Sequence, residues 1–296
     1  MGPGIAQVFL MGGHEVALTD IKASALDAAR DNMVDTLALI RGAGLPNGAE
    51  GCLDKLTLTT DLAAATGGAA LVIEAVPESL DIKKDVYAQL LQVCESDAVV
   101  ASNTSAFPLP VMMPQFCPGR FLVAHFFNPP AIVPLVEIVR DANTDDTKVI
   151  WLRELLEQCG KKPVVLNGFV KGFLINRLQT ALAREALYLY GQGLVSAQDL
   201  DTASVIGIGF KSAWQGFFET MDYIGLDTVS AAYQAIYPDL CNNTSVPDIV
   251  GRKVAEGKLG LKTGEGFLKY TGAARETEQH RVTVLLEQLK LYEEYK

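Results

Sequence analysis

The chain has 296 residues, 35 acidic and 25 basic, so its formal net charge at pH 7 is -10. With 49% hydrophobic and 20% charged residues, it has the composition of a well-cored globular protein, which excludes disorder over most of its length. The acidic balance disfavours broad binding to nucleic acid, which requires a field of Lys and Arg. At about 150 residues per domain, the length favours two domains.

The apolar stretches and the cysteines bear on where in the cell the protein is found and on whether it binds a membrane or a metal. The best apolar stretch, Ala69 to Pro77, is short and contains Glu74, so no segment predicts a membrane span. The N-terminus lacks the basic region and small-residue cleavage site of a secretory signal. Five cysteines, with no Cys-x-x-Cys pair, predict neither a disulfide framework nor a zinc site. We therefore expect a cytoplasmic protein that binds neither a metal nor a membrane.

The first part of the chain, 1–166, alternates short β-branched runs with segments of helical spacing. Strands separated by helices imply the α/β class, with a mostly parallel, doubly wound sheet of Rossmann type. The predicted strands are 14–20, 55–60, 69–75, 97–102, 119–126, 134–139 and 162–166. The predicted helices between them are 24–41, 80–94 and 147–159.

The second part, 167–296, changes to helix following helix, which predicts an all-helical C-terminal domain. Its predicted helices begin with 172–193 and continue with 196–206, 214–221, 226–237 and 246–256. The tail, 274–295, places apolar residues on one stripe, which predicts a helix that docks on its own fold or on a partner subunit. The stripe consists of Val282, Leu285, Leu286, Leu289 and Tyr292.

The opening residues, Met1-Gly2-Pro3-Gly4-Ile5-Ala6, precede a helix and a strand that ends in Asp20. This order resembles the back half of a dinucleotide-binding fingerprint. There, glycines let the backbone approach the pyrophosphate at a helix N-terminus, and an acid about 20 residues on holds the ribose hydroxyls. Gly2, Gly4 and Asp20 are therefore candidate cofactor ligands. The alternative, a glycine-rich helix start and an ordinary acid after a strand, is equally compatible with this segment alone.

Four segments together resemble the 3-hydroxyacyl-CoA dehydrogenase family in their order and spacing. They are VIEAVPESLDIKKDVYAQL (72–90), ASNTSAFPL (101–109), AHFFNPPAIVPLVEIV (124–139), and GFLINR (172–177) with LGLKTGEGFLKY (259–270). The resemblance spans almost the whole chain. It implies an NAD-dependent oxidoreductase that converts an L-3-hydroxyacyl-CoA, or a related 3-hydroxy acid, to the 3-oxo compound. It also implies a role in fatty acid metabolism and a homodimer formed through the helical domain.

His125 and Glu137 are the candidate catalytic pair. Oxidation of a secondary alcohol requires removal of the hydroxyl proton, and His is the side chain whose ordinary pKa suits that task near neutrality. His125 ends a predicted strand, where α/β sites open, and Glu137 on the next strand could hold its imidazole in one tautomer. The alternatives are a core histidine and a satisfied buried acid. The resemblance matches both residues to the family's catalytic pair.

The resemblance implies further site residues. Ser105 and Asn176 fall where the family places groups that hydrogen-bond the substrate oxygen, the alternatives being a turn serine and a helix-surface asparagine. Asp20 is implied to bind the adenosine ribose, and NAD is expected over NADP because an acid there repels a 2′-phosphate. The residues implied to lie near the nicotinamide half are Glu78, Lys83 and Asn103.

The start of the chain departs from the family. The resemblance implies a buried central strand and two further glycines before the position of Met1. Without them, two neighbouring strands would keep unpaired backbone groups in the core. We expect that an internal Met was taken as the start. The rival hypothesis is a short protein that has lost the activity.

A second departure concerns the substrate. The resemblance implies a lysine-rich helical hairpin in members that bind coenzyme A, whereas residues 36–55 offer only Arg41 and Lys55. The segment NPPAIVPLVE and the run Gly216-Phe217-Phe218 also depart from the acyl-CoA pattern. A small hydroxy compound without coenzyme A, similar to carnitine, gulonate or a pyridine-derived alcohol, is therefore the alternative substrate. From another functional class, the alternative is a non-catalytic, crystallin-like protein on this fold.

Overall fold

The computed structural model describes residues 1–45, 50–112, 119–271 and 274–295. The chain forms two compact units. The first combines Met1–Ile175 with the tail, Gln279–Lys296, and the second is Asn176–Glu278. None of the described helices is both long and apolar enough to cross a bilayer.

The first unit contains the strands, and each coincides with a run that the sequence predicts. They are β1 Val16–Thr19, β2 Leu56–Thr59, β3 Leu71–Glu74, β4 Val99–Ser102, β5 Phe121–Phe126, β6 Leu135–Val139 and β7 Lys162–Leu166. Strands β3 to β7 form one sheet in chain order, parallel except between β5 and β6, and β1 pairs with β2 in a separate parallel sheet. Among the described residues no hydrogen-bonded ladder joins β1 to β3. The α/β, Rossmann-type fold class is confirmed.

Helices make up most of the remaining described chain. They are α1 Gly2–Met11, α2 Ala23–Gly42, α3 Leu62–Thr66, α4 Leu80–Val93, α5 Leu109–Met112, α6 Asp146–Gln158, α7 Ile175–Gly191, α8 Ala197–Ala203, α9 Phe210–Ser212, α10 Phe217–Ile224, α11 Leu226–Ile236, α12 Asp248–Ala255 and α13 Ala274–Tyr295. A π-helical segment, Ser204–Gly209, joins α8 to α9. Over its described residues the second unit therefore contains helices and no strand, as its sequence pattern predicts.

Side-chain alternation along the strands divides the core of the first unit into two layers. On β5, Leu122 and Ala124 pack with α1 and α6, whereas Phe121 and Val123 pack with α4 and α5. Successive side chains of a strand point to opposite faces of its sheet, which explains the division. His125 follows Val123 by two residues and therefore lies on the α4 and α5 face. This is the layer in which the candidate site is built.

The tail helix, α13, docks on the first unit through its apolar stripe. Leu286 is 3% exposed and packs with Ile40 of α2 and with Ala131 and Ile132, which lie between β5 and β6. Three further stripe residues join this contact: Val282, Leu285 and Leu289. The expectation that the tail docks on its own fold is confirmed.

Replacing Leu286 with alanine is expected to lower the free energy of unfolding by about 2 to 5 kcal/mol, because a buried apolar side chain is lost and a cavity remains. Urea unfolding monitored by circular dichroism measures the change. Leu291→Ala is the matched control, since Leu291 lies on the same helix and is 47% exposed. Equal losses in the two variants would contradict docking through this stripe.

Candidate active site

His125 and Glu137 face each other across the antiparallel pair of β5 and β6. The two residues are direct cross-strand partners, and Nδ1 of His125 lies 2.8 Å from Oε2 of Glu137. Both side chains are buried, and that of Glu137 is fully so. The antiparallel register therefore brings together the two residues that the sequence predicts as a pair.

The second carboxylate oxygen of Glu137 is also engaged. Its Oε1 accepts hydrogen bonds from the backbone N–H groups of Leu174 and Ile175, at 2.9 and 2.8 Å. Because Glu137 accepts at both oxygens, its orientation is fixed and its Oε2 faces His125. A carboxylate there accepts the Nδ1–H of the imidazole, so the other ring nitrogen, Nε2, keeps its lone pair. Within the described residues, no protein group hydrogen-bonds Nε2.

Two aromatic rings flank the imidazole of His125. The ring centroids of Phe127 and Phe173 lie 4.7 and 5.4 Å from that of His125, both in edge orientation. Phe173 is fully buried and has a φ of 48°, in the left-handed region that residues with a large side chain rarely adopt. Sequence reasoning did not identify Phe173 as a site residue. Its signal was its place in GFLINR, beside the predicted Asn176.

The turn after β4 carries Ser105 and is tied to the strand that carries His125. Oδ1 of Asn103 accepts a hydrogen bond of 2.9 Å from the backbone N–H of Phe126, the residue after His125. Oε1 of Glu78 accepts from the N–H groups of Ser105 and Ala106, at 3.1 and 3.2 Å, and from the hydroxyl of Thr104. The structure therefore brings the side chain of Glu78 against the turn that contains Asn103 and Ser105.

Lys83 lies in a buried cluster beneath that turn. Its ammonium group contacts both carboxylate oxygens of Glu74, at 2.9 and 3.1 Å, and Oε2 of Glu78, at 3.2 Å. Burial alone would raise the pKa of Glu78, but the Thr104 hydroxyl and the Lys83 charge together hold that pKa below its usual range. Sequence reasoning missed Glu74, although an acid inside the apolar run AALVIEA was a visible signal.

The start of α1 and the end of β1 fit the cofactor that the resemblance implies. Helix α1 begins at Gly2 and has no acid in its first turn, so its positive N-terminal end is available to an anion such as a pyrophosphate. Asp20 directly follows β1 and is exposed, as a ribose ligand requires. Packing also favours glycine at position 4, because a Cβ there would lie 2.8 Å from Cδ of Pro130.

Asn176 is the second residue of α7 and directly follows Ile175, whose backbone N–H binds Glu137. It is the first residue of the second unit, and its role stays a prediction. The hydroxyl of Ser105 hydrogen-bonds no protein group within the described residues. Its role at the substrate oxygen also stays a prediction.

Lys161 hydrogen-bonds the segment that connects His125 to Glu137. Its buried Nζ donates hydrogen bonds to the carbonyl oxygens of Pro130 and Val133, at 2.6 and 3.1 Å. Burial lowers the pKa of Lys161 from 10.5 to about 8, against the opposing influence of Cys159. The neutral amine is therefore favoured in the folded protein more than in the unfolded chain.

This difference predicts a pH-dependent stability. Between the folded and unfolded pKa values the unfolded chain binds more protons, so the free energy of unfolding rises with pH. Relative to Lys161→Met, we expect the wild type to gain about 2 kcal/mol between about pH 7.5 and about pH 9.5. Urea unfolding at both pH values measures the gain, and Lys162→Met, at an exposed neighbour, is the control that should retain it. If the free energy of unfolding of Lys161→Met rises with pH as much as that of the wild type, Lys161 is not the group responsible.

Comparison with known proteins shows which family the chain belongs to. The NAD binding domain of 3-hydroxyacyl-CoA dehydrogenase matches residues 1–169, and the C-terminal domain of the same family matches residues 172–270. A 5-formyl-3-hydroxy-2-methylpyridine 4-carboxylate 5-dehydrogenase of Mesorhizobium japonicum is 36% identical over 274 residues, covering 92% of this chain and 88% of that protein.

Solved structures agree with this assignment. The crystal structure of 5-formyl-3-hydroxy-2-methylpyridine 4-carboxylic acid 5-dehydrogenase, described as an NAD+ dependent dismutase, superposes with a TM-score of 0.89 at 34% identity, covering 99% of this chain and 95% of that one. The (S)-3-hydroxybutyryl-CoA dehydrogenase of Ralstonia eutropha gives a TM-score of 0.74 at 29% identity, covering 92% and 96%. The chain therefore belongs to the 3-hydroxyacyl-CoA dehydrogenase family and is an NAD-dependent oxidoreductase of that family.

Proposed function

We propose that this protein oxidises the hydroxyl group of a small carboxylic acid that carries no coenzyme A. The observation that supports the chemistry is the buried pair of His125 and Glu137, in which Nδ1 of His125 faces Glu137 and Nε2 keeps a lone pair that can accept a hydroxyl proton. NAD supplies the acceptor of the hydride when it is bound. The protein contributes the orientation of the substrate and the handling of the proton.

Each residue of the pair has a distinct part in this proposal. Nε2 of His125 accepts the proton of the substrate hydroxyl, which makes the imidazole a cation. The carboxylate of Glu137, held by the backbone N–H groups of Leu174 and Ile175, stabilises that cation without taking its proton. The hydroxyl of Ser105 and the amide of Asn176 are proposed to donate hydrogen bonds to the substrate oxygen, which polarises a carbonyl in the reverse direction.

The structural match and the basic residues support a substrate without coenzyme A. The pyridine carboxylate dehydrogenase superposes more closely than the hydroxybutyryl-CoA enzyme, with TM-scores of 0.89 and 0.74. Both basic side chains of residues 36–55 already contact backbone carbonyls: Arg41 donates to Leu37, and Lys55 donates to Gly13. Residues 46–49 of that stretch lie outside the described residues. Cytoplasmic location and a homodimer stay predictions.

An L-3-hydroxyacyl-CoA is the second candidate substrate. Both family models that match the chain describe 3-hydroxyacyl-CoA dehydrogenases, and together they span nearly its whole length. The two candidates share the chemistry at His125 and differ in whether the acid is attached to the charged coenzyme A. A CoA thioester brings several phosphate charges to a protein whose net charge is -10.

NADH formation with alternative substrates separates the candidates. We would supply the enzyme with NAD and either 3-hydroxybutyryl-CoA or free acids: carnitine, gulonate and hydroxymethylpyridine carboxylates. The proposal predicts that kcat/KM for the best free acid exceeds that for the thioester by at least about tenfold. A preference for the thioester would contradict the proposal and support the second candidate. If neither the thioester nor any free acid is oxidised and NAD does not bind, the result would favour a non-catalytic protein.

A further inference from the structure

The turn that carries Ser105 is fastened by a single carboxylate oxygen. Oε1 of Glu78 accepts hydrogen bonds from the backbone N–H groups of Ser105 and Ala106 and from the hydroxyl of Thr104. Three successive residues therefore converge on one atom. Successive backbone N–H groups that surround a carboxylate form an anion-binding concavity, and here the anion belongs to the protein itself.

Glu78 is held in place by Lys83. An ammonium group has three N–H donors, and the Lys83 nitrogen has three carboxylate oxygens within reach: Oε1 and Oε2 of Glu74 at 2.9 and 3.1 Å, and Oε2 of Glu78 at 3.2 Å. Lys83 is 1% exposed. The three carboxylate oxygens therefore surround its ammonium group.

Glu74 anchors this arrangement in the core. Its side chain is fully buried at the end of β3. Its Oε2 accepts from the hydroxyl of Tyr87 and, at 2.7 Å, from that of Ser102, while its Oε1 accepts from the N–H of Val76 at 2.8 Å. Burial and the neighbouring carboxylate of Glu74 raise the pKa of Tyr87, so its hydroxyl remains a donor. With every acceptor position engaged, Glu74 offers Lys83 a fixed counter-charge.

The other end of the turn is tied to the catalytic strand. Asn103 accepts a hydrogen bond from the N–H of Phe126, the residue after His125, and its own N–H donates to the carbonyl of Glu74. The turn 103–106 is therefore fixed to β5 at one end and to Glu78 at the other. Any movement of Glu78 would shift Ser105 relative to His125.

We propose that Glu74 and Lys83 are positioning residues that act through Glu78 to set the place of Ser105 beside the substrate oxygen. This inference rests on the proposed function, in which Ser105 donates a hydrogen bond to that oxygen. It gives Lys83 and Glu78 a part in addition to the place near the nicotinamide that the family resemblance implies. Two ion pairs, Glu74 with Lys83 and Lys83 with Glu78, connect the core to the turn.

A double-mutant cycle on kcat tests the inference, with Ser105→Ala, Glu78→Gln and the double variant measured at saturating NAD. Misplacement of a reacting or polarising group by about 1 Å costs about a hundredfold in rate, so we expect Glu78→Gln alone to lower kcat by about 10- to 100-fold. In the Ser105→Ala background the same change should lower kcat by less than about threefold, because the group it positions is already absent. The dissociation constant of NAD, measured by calorimetry, establishes that each variant is saturated, so that a weaker affinity for NAD does not contribute to the loss of kcat.

Multiplicative losses in the cycle would overturn the inference, as would a weaker NAD affinity with kcat unchanged. A Ser105→Ala enzyme with wild-type kcat would also overturn it. An active His125→Gln variant contradicts the proposed function itself, whereas a multiplicative cycle in an enzyme that requires His125 contradicts only the positioning role. The two failures are therefore distinguishable.

A second set of variants tests the anchor directly. Lys83→Met alone leaves the buried Glu74 carboxylate without its counter-charge and is expected to impair folding. The pair Glu74→Gln with Lys83→Met removes both charges together and should fold, with the same loss of kcat as Glu78→Gln. Lys84→Met, at the exposed neighbouring position on α4, is the matched control and should keep wild-type kcat. A folded double variant with wild-type kcat would overturn the proposal.

Discussion

Replacing His125 with glutamine is expected to lower kcat by about a thousandfold or more while the dissociation constant of NAD stays within about twofold. Glutamine can still donate an amide N–H to Oε2 of Glu137, so the buried carboxylate keeps a partner. It has no nitrogen that can accept the hydroxyl proton, so the proton has nowhere to go as the hydride leaves. The variant therefore separates proton transfer from binding and from folding.

Steady-state kinetics and calorimetry of NAD binding measure the two quantities. His280→Gln is the matched control because His280 is exposed on the tail helix, and it should keep wild-type kcat. Circular dichroism establishes that the His125 variant is folded. A folded His125→Gln enzyme with kcat near that of the wild type would show that His125 is a core histidine, the alternative that its buried position also allows.

Much of the fold follows from local sequence patterns. β-Branched runs such as LVIE and VVAS appear as strands because alternation and burial are encoded residue by residue. The short helices α3 and α5 were not predicted, since four or five residues show too little periodicity. The docking place of the tail could not be predicted either. Leu286 meets Ile40, 246 residues earlier, and no local pattern encodes that partner.

The candidate site also contains residues whose role the sequence predicts and residues whose role it does not. The pair of His125 and Glu137 was predictable because both residues match the family motif, and the register of β5 and β6 explains why they meet. The buried role of Lys83 was less evident, although its spacing with Tyr87 and Leu90 places it on the apolar face of α4. A lysine at such a position requires a buried acid, and only the structure identifies that acid as Glu74.

Glu137 offers a second test with a large effect, because its surroundings determine how an amide would sit in its place. Oε1 accepts two backbone N–H groups, from Leu174 and Ile175, so in Glu137→Gln the amide oxygen should take that position. The amide NH₂ then faces Nδ1 of His125. Since NH₂ is a donor only, Nδ1 must become the acceptor and the ring proton must move to Nε2.

The imidazole of Glu137→Gln is therefore expected to adopt the tautomer whose Nε2 is already protonated, and this nitrogen cannot take the substrate proton. In the comparable serine protease triad, replacing the aspartate with asparagine lowers kcat about ten-thousandfold because the histidine adopts the wrong tautomer. We expect Glu137→Gln to lower kcat by about a thousandfold or more for the same reason. Nitrogen NMR of the His125 ring reports the tautomer, and stopped-flow kinetics report the rate. Glu137→Gln with an unchanged tautomer and an unchanged rate would contradict the orienting role of Glu137. An unchanged tautomer with a large loss of rate would assign its effect to its charge alone.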